Sequence, residues 1–248
     1  MSPTPLTTAA EVLVATGHDA FARGSLRRPV ARGWVVEGAT AWVGIDLHEH
    51  LPYLSALGPP QTVGALLGEI VPELPPKQRV TLPRGTGAWL PAWVGLRGTD
   101  WDFRSLSAPP PVQPGEDDVV AVEDDDELAA LITAASPTAS VQPGDARARR
   151  WYGVRDPDGA LLACAADTSS ATGVGQLSSI AVDPTTRGRG LGRAITAAVA
   201  RRLFGEGCDL VTLGLYASNA AGRALYDALG FTDDHRFTSG PLLVRSRW

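Results

Sequence analysis

Arg187-Gly188-Arg189-Gly190-Leu191-Gly192 places glycine at every second position of a short, arginine-flanked segment. It lies between a β-prone run, Leu177 to Val182, and a run with helical spacing that begins near Gly190. In a strand-loop-helix turn of this kind the first helical N–H groups have no intrahelical partner, the helix dipole stands behind them, and glycine lets the backbone approach a ligand closely. The chemistry that follows is binding of a phosphate or pyrophosphate. Glycines in a turn also serve purely structural purposes, so the segment alone leaves both readings open. Two other phosphate-binding patterns fail on spacing. A P-loop ends in Gly-Lys-Ser or Gly-Lys-Thr, whereas Gly192 is followed by Arg193-Ala194, and Gly188 to Gly192 is too compressed for Gly-x-Gly-x-x-Gly. Nucleotide hydrolysis and nicotinamide binding therefore recede.

Several elements must form to hold that turn. The strand from Leu177 ends at Asp183-Pro184, and Leu191, Ile195, Ala198, Val199 and Leu203 then repeat at helical spacing until Gly205 and Gly207. Leu210 to Tyr216 reads as the next strand. From Asn219 a second helix carries Ala221, Leu225, Ala228 and Leu229 on one face and closes at Gly230 before Phe231. Upstream, Val119 to Val122 reads as a strand and Asp124 to Ala134 as a helix with an acidic first turn. Trp151 to Val154 and Ala160 to Ala165 form a hairpin around Arg155-Asp156-Pro157-Asp158-Gly159. The order from Val119 is β, α, hairpin, β, α, β, α, β, a mixed α/β domain. Four prolines in Ala108-Pro109-Pro110-Pro111-Val112-Gln113-Pro114-Gly115 bar a helix or central strand. They predict an N-terminal domain over 1–108, a linker over 109–116 and a second domain over 117–248. In the first domain the spacing predicts one helix from Leu6 to Phe21, a tight hairpin of Gly33 to Val36 with Thr40 to Gly44, a helix from Gln61 to Val71 and a strand from Arg79 to Leu82. The Trp-, Pro- and Gly-rich stretch from there to Leu106 has no clean periodicity.

Arg187-x-x-Gly190-x-Gly192, following Ile180-Ala181-Val182-Asp183-Pro184, resembles the acyl-CoA signature of the GNAT superfamily of N-acetyltransferases, Gln/Arg-x-x-Gly-x-Gly/Ala. Ser218 to Phe231 is similar to the family's second signature, Asn-x-x-Ala/Gly-x-x-Leu-Tyr-x-x-x-Gly-Phe. The resemblance covers about Val119 to Phe237. It implies an acyl-CoA N-acyltransferase fold in the C-terminal half, acetyl-CoA as cosubstrate and no metal. Ile180, Ala181 and Val182 would then lend their backbone to the pantetheine amides as a neighbouring strand does, and Arg187, Gly188, Arg189, Gly190, Leu191, Gly192 and Arg193 would cradle the pyrophosphate. The side chains of Arg187, Arg189 and Arg193 either add charge for the phosphates or stay solvated. Asn219 caps the last helix, contacts the pantetheine arm, or does both. Tyr226 becomes the candidate general acid for a departing thiolate of pKa about 8.5, with a packing role as its alternative. A backbone N–H on the Ile180 to Val182 strand would meet the oxyanion. Many relatives carry a Glu or Asp base on or near that strand. Here it offers Ser178 and Ser179; Asp167, Tyr216 and His235 are further possibilities, and no base is assigned.

The first domain has no comparable turn or Asn-to-Tyr signature. Its helix, hairpin, helix, strand order is what a degenerate GNAT-like copy of the same fold would leave. Its tryptophans Trp34, Trp42, Trp89, Trp93 and Trp101 read as core or domain-interface residues rather than a cage for a cation. His48 and His50 stand two apart without other nearby ligands, a polar loop more than a metal site. A net charge of −5 with mixed signs gives no basic field for nucleic acid. Glu123 to Glu127 is the solvated start of a helix. With no run of eighteen apolar residues and no signal-peptide pattern, no membrane partner is expected and the expected location is cytoplasmic. Cys164 and Cys208 are far apart and read as reduced, buried side chains. Two functions follow: an N-acetyltransferase acting on a small-molecule or peptide amine, as monomer or homodimer, or a non-catalytic acyl-CoA sensor. The acceptor is chosen by loops and the partner domain rather than by the cofactor turn, and the acyl-chain length is equally open.

Overall fold

The computed structural model describes residues 2–26, 30–45, 52–74 and 78–244. The chain forms two compact units, Met1–Phe103 with Tyr216–Ser218 and Asp233–Trp248, and Arg104–Leu215 with Asn219–Thr232. In the first, β1 (Thr4–Leu6), α1 (Ala9–Ala15) and α2 (Ala20–Ser25) precede β2 (Arg32–Val36), β3 (Ala39–Ile45) and β4 (Pro52–Leu57). Then come α3 (Pro60–Ile70), β5 (Arg79–Pro83), β6 (Val94–Leu96) and β7 (Thr99–Leu106), whose last three residues belong to the second unit. Strands β1 to β5 lie side by side in sequence order, antiparallel except for the parallel pair β4 and β5. Helix α3 makes that parallel crossover and buries Val63, Leu66, Leu67 and Ile70 against the sheet.

The single helix expected from Leu6 to Phe21 is not formed. Leu6 ends β1, paired with Gly33, and the chain turns at Gly17 and His18, which both take positive φ (63° and 58°). Asp19 restarts it as the cap of α2, its Oδ1 accepting the N–H of Phe21 and Ala22. Apolar spacing continues across this break, so periodicity could not register it. Strand β4 and the unassigned β6 and β7 also went unread, and Asp46 to His50, with the candidate metal pair His48 and His50, lies outside the described residues.

In the second unit β8 (Val120–Val122), α4 (Asp125–Ala135), β9 (Arg150–Arg155) and β10 (Leu161–Asp167) lead to β11 (Val174–Val182), which starts three residues before the expected Leu177. Next are α5 (Leu191–Gly205), β12 (Leu210–Tyr216) and α6 (Ala220–Ala228); β13 (Thr232–Val244) then pairs with β5 and β6. Strands β8 to β12 again run in sequence order, antiparallel until the parallel pair β11 and β12. Helix α5 makes the crossover and presses Ile195, Ala198, Val199 and Leu203 onto the sheet, with Tyr152, Leu177, Val211 and Leu213 beneath.

Candidate active site

Two features of β11 interrupt its pairing in the second unit. Its ladder with β12 runs from Val174 opposite Leu210 to Leu177 opposite Leu213, so Ser178 to Val182 is not paired with β12. On the other edge the register with β10 slips between Cys164 and Ala166, and Ser179 within that bulge has φ of 50°. A bulge bends and twists the strand that carries it. Ser179 is held there by its Oγ, which donates to Val141 O (2.7 Å) and accepts the Val141 N–H (3.2 Å). Beyond the bulge Asp183 N–H donates to Leu162 O of β10 (2.8 Å). Because alternate residues face opposite edges, Val182 presents its backbone groups to the open side. Its carbonyl is reached there by Arg187 Nε (3.3 Å).

The strand stops where the Asp183 carboxylate accepts both the N–H and the hydroxyl of Thr185, bonds that hold its pKa below the usual carboxylate range. The loop then reaches Gly190, the residue before α5, with φ of 87°, a region L side chains enter at a cost. Arg193 and Ala194 N–H both donate to Gly190 O (3.0 Å). Among the described residues no hydrogen bond uses the N–H of Gly188, Arg189, Gly190, Leu191 or Gly192. Five amides at the positive end of a fifteen-residue helix thus remain available to an anion. A Cβ on Gly192 would come 3.0 Å from Leu225 Cδ1 and 3.4 Å from Val182 Cγ2, so β11, α5 and α6 meet closely at this point. Arg187 also donates to Ala135 O at the end of α4 (3.0 Å), which ties the loop down, while Arg189 and Arg193 extend into solvent.

Asn219 caps α6, its Oδ1 accepting the Gly222 N–H (2.8 Å). Tyr226 does not lie along an exposed edge. The residue is 7% exposed, and its ring packs against Phe231 at 5.7 Å between centroids. Burial pushes its phenol up to about 12, against a smaller downward pull from Arg104.

Four of the suggested bases have partners of their own. Ser178 Oγ lies 2.9 Å from Thr168 Oγ1, and Ser179 is clamped to Val141. Asp167 is fully buried opposite Leu177, with Oδ1 accepting Ser169 N–H and Oδ2 3.5 Å from Arg149. His235 and Tyr216 belong to the first unit, where His235 Nε2 is 2.7 Å from Asp19. Cys164 is buried and its thiol pushed up to about 12 by desolvation; Cys208, expected to be buried, is only partly so. Sequence reasoning missed the Ser179 bulge and Arg104. Neither has a local signal, since Ser179 reads as an ordinary strand residue and Arg104 sits in the stretch without periodicity.

Residues 90–231 match the model of the acetyltransferase (GNAT) family, more than half of the chain. A mycothiol acetyltransferase of Beutenbergia cavernae is 42% identical over 82 residues, 33% of this chain and 28% of that protein. One from Kocuria rhizophila is 34% identical over 108 residues, 37% and 36%. The matched stretches thus span only about a third of these curated relatives. Among solved structures, an acetyltransferase of the GNAT family from Novosphingobium aromaticivorans superimposes with a TM-score of 0.54 at 27% identity, covering 77% of this chain and 84% of that one. An N-acetyltransferase from Sphaerobacter thermophilus gives 0.57 over 97% and 95%, at 16% identity a likeness of fold alone. The family match over more than half of its length shows that this chain belongs to the GNAT acetyltransferases, a family that takes acetyl-CoA as cosubstrate.

Proposed function

We propose that the protein transfers an acetyl group from acetyl-CoA to a primary amine of a small molecule, by direct attack of the amine on the thioester. The observation that carries this reading is the row of five unengaged amides from Gly188 to Gly192 in front of α5. They would hold the pyrophosphate, and the open edge of Ser178 to Val182 would receive the pantetheine amides as a neighbouring strand does. Negative charge developing on the acetyl oxygen would meet an N–H of that edge. A phenol raised by burial stays protonated at neutral pH, so Tyr226 can give its proton to the departing thiolate. Desolvation raises a thiol as well, as it does Cys164, so acid and leaving group move in the same direction. With Ser178 and Ser179 both engaged, the amine gives its proton to solvent, and the Tyr226 phenolate takes one back from solvent to restore the acid. The relatives named mycothiol acetyltransferase support a small-molecule acceptor.

The first unit is read as a degenerate copy of the second. The support is topological: β1 to β5 with α1 to α3 repeat the order and the single parallel pair of β8 to β12 with α4 and α5. Thiol release from acetyl-CoA across a panel of amines tests the catalytic reading. Turnover is expected with at least one amine, and Tyr226→Phe should lower kcat by about a hundredfold or more while CoA affinity is kept. Tight CoA binding without turnover on any amine would point instead to an acyl-CoA sensor.

A further inference from the structure

Strand β7 supplies one residue that the cofactor turn does not explain. The side chain of Arg104 is 3% exposed. Its Nη1 donates to Arg223 O (3.2 Å), and its Nη2 donates to Phe231 O (2.9 Å) and to the Asp227 carboxylate. Tyr226 lies within the segment these contacts bracket, beside Asp227. A planar guanidinium fixes several acceptors at set angles, which an ammonium on a flexible stem does not. Packing alone does not call for this group, because an apolar side chain of similar size would fill the space without the desolvation of a charge.

We infer that Arg104 is a positioning residue for acetyl transfer, fixing the last turn of α6 and with it the Tyr226 hydroxyl relative to the leaving sulfur. The inference rests on the reading of Tyr226 as the acid. Arg104 also pulls the Tyr226 phenol down against the rise caused by burial, which eases proton release to the thiolate.

The test is a double-mutant cycle in the full chain: Arg104→Met, Tyr226→Phe, the pair together and Arg104→Lys, assayed with acetyl-CoA and with an acetyl thioester of a more acidic thiol. Arg104→Met is expected to lower kcat about tenfold with KM for acetyl-CoA within about twofold, since a misplaced catalytic group slows the chemical step without touching the diphosphate site. The loss should vanish in the Tyr226→Phe background and shrink with the more acidic leaving thiol, and Arg104→Lys should recover part of it. Equal loss with and without the Tyr226 hydroxyl, or no loss at all, overturns the inference while leaving Tyr226 in place. Full kcat in Tyr226→Phe alone overturns the acid reading itself. Should Arg104→Met fail to fold, Asp227→Ala removes one contact at a side chain that is 56% exposed. Its loss of a fewfold must likewise disappear without the Tyr226 hydroxyl.

Discussion

The turn from β4 to α3 and the turn from β11 to α5 occupy the same place in the same strand order, each leading from an antiparallel run into the parallel crossover. In the first, Leu57 is followed by Gly58-Pro59-Pro60, and Pro60 already opens the helix. Two of the amides that could face an anion are prolines and have no N–H. The glycine is packed rather than open, since a Cβ on Gly58 would fall 2.4 Å from Gly38 O. In the second, a longer loop runs from Asp183 to Gly190, and a Cβ on Gly188 or Gly190 would meet nothing within 4 Å. On the proposed reading, the scaffold of a β-α-β crossover would not by itself bind a diphosphate. What differs is the supply of unengaged N–H groups and the clear space in front of them.

Forcing a side chain into the open turn is the strongest way to break that contrast. Gly190→Val places a β-branched residue at φ of 87°, a conformation that costs an L residue about 1–2 kcal/mol, so the loop should leave it and scatter the amides. CoA affinity measured calorimetrically should fall by about tenfold to a hundredfold. Unchanged affinity would mean that the amides are not the cradle. Gly58→Ala probes the closed turn. Its Cβ would meet backbone, which cannot swing aside, and denaturant unfolding should record a loss of about 1–3 kcal/mol. The variant that remains folded should bind CoA as before; weakened affinity would give the first turn a part in cofactor binding.

How much of this could be read in the chain itself depends on the range of the forces involved. The strand-loop-helix turn ahead of α5 was legible as a turn because its requirements are local: a strand stop at Asp183-Pro184, glycine where φ is positive, and a helix with no side-chain cap at Gly190. The hairpin of β9 and β10 and the Asn219 cap were legible for the same reason. Ser179 was not, because its positive φ is imposed by two hydrogen bonds to Val141, 38 residues away. Arg104 binds 119 to 127 residues down the chain, so nothing in its neighbours announces it. The break at Gly17 and His18 escaped because apolar spacing on the two short helices happens to stay in phase across it.

The smallest effect concerns whether any chemistry resides in the first unit. Asp19 and His235 form its most conspicuous polar pair, 2.7 Å apart, beside an open pocket of about 360 Å³ lined by Arg84, Asp233, Asp234, His235 and Arg236. Burial acts to raise the Asp19 carboxyl, but His235 and the N–H groups of Ala22 and Phe21 outweigh it and bring it below its ordinary 3.8. A folded pKa below the unfolded one gives stability that is present above 3.8 and is lost as pH falls through the lower folded value. Asp19→Asn keeps a good helix cap and removes the charge, so the expected loss is below about 1 kcal/mol at pH 7. In urea unfolding, the difference from the parent protein should shrink as the pH is taken below that of the native carboxyl. A difference that persists in acid would assign the effect to the cap. The kcat of Asp19→Asn at neutral pH should match the parent, because a carboxylate committed to two cap amides and one imidazole is holding α2 in place. A kcat that falls while stability and CoA affinity hold would give the first unit a part in the reaction, and the contrast between the two turns would no longer account for all the chemistry.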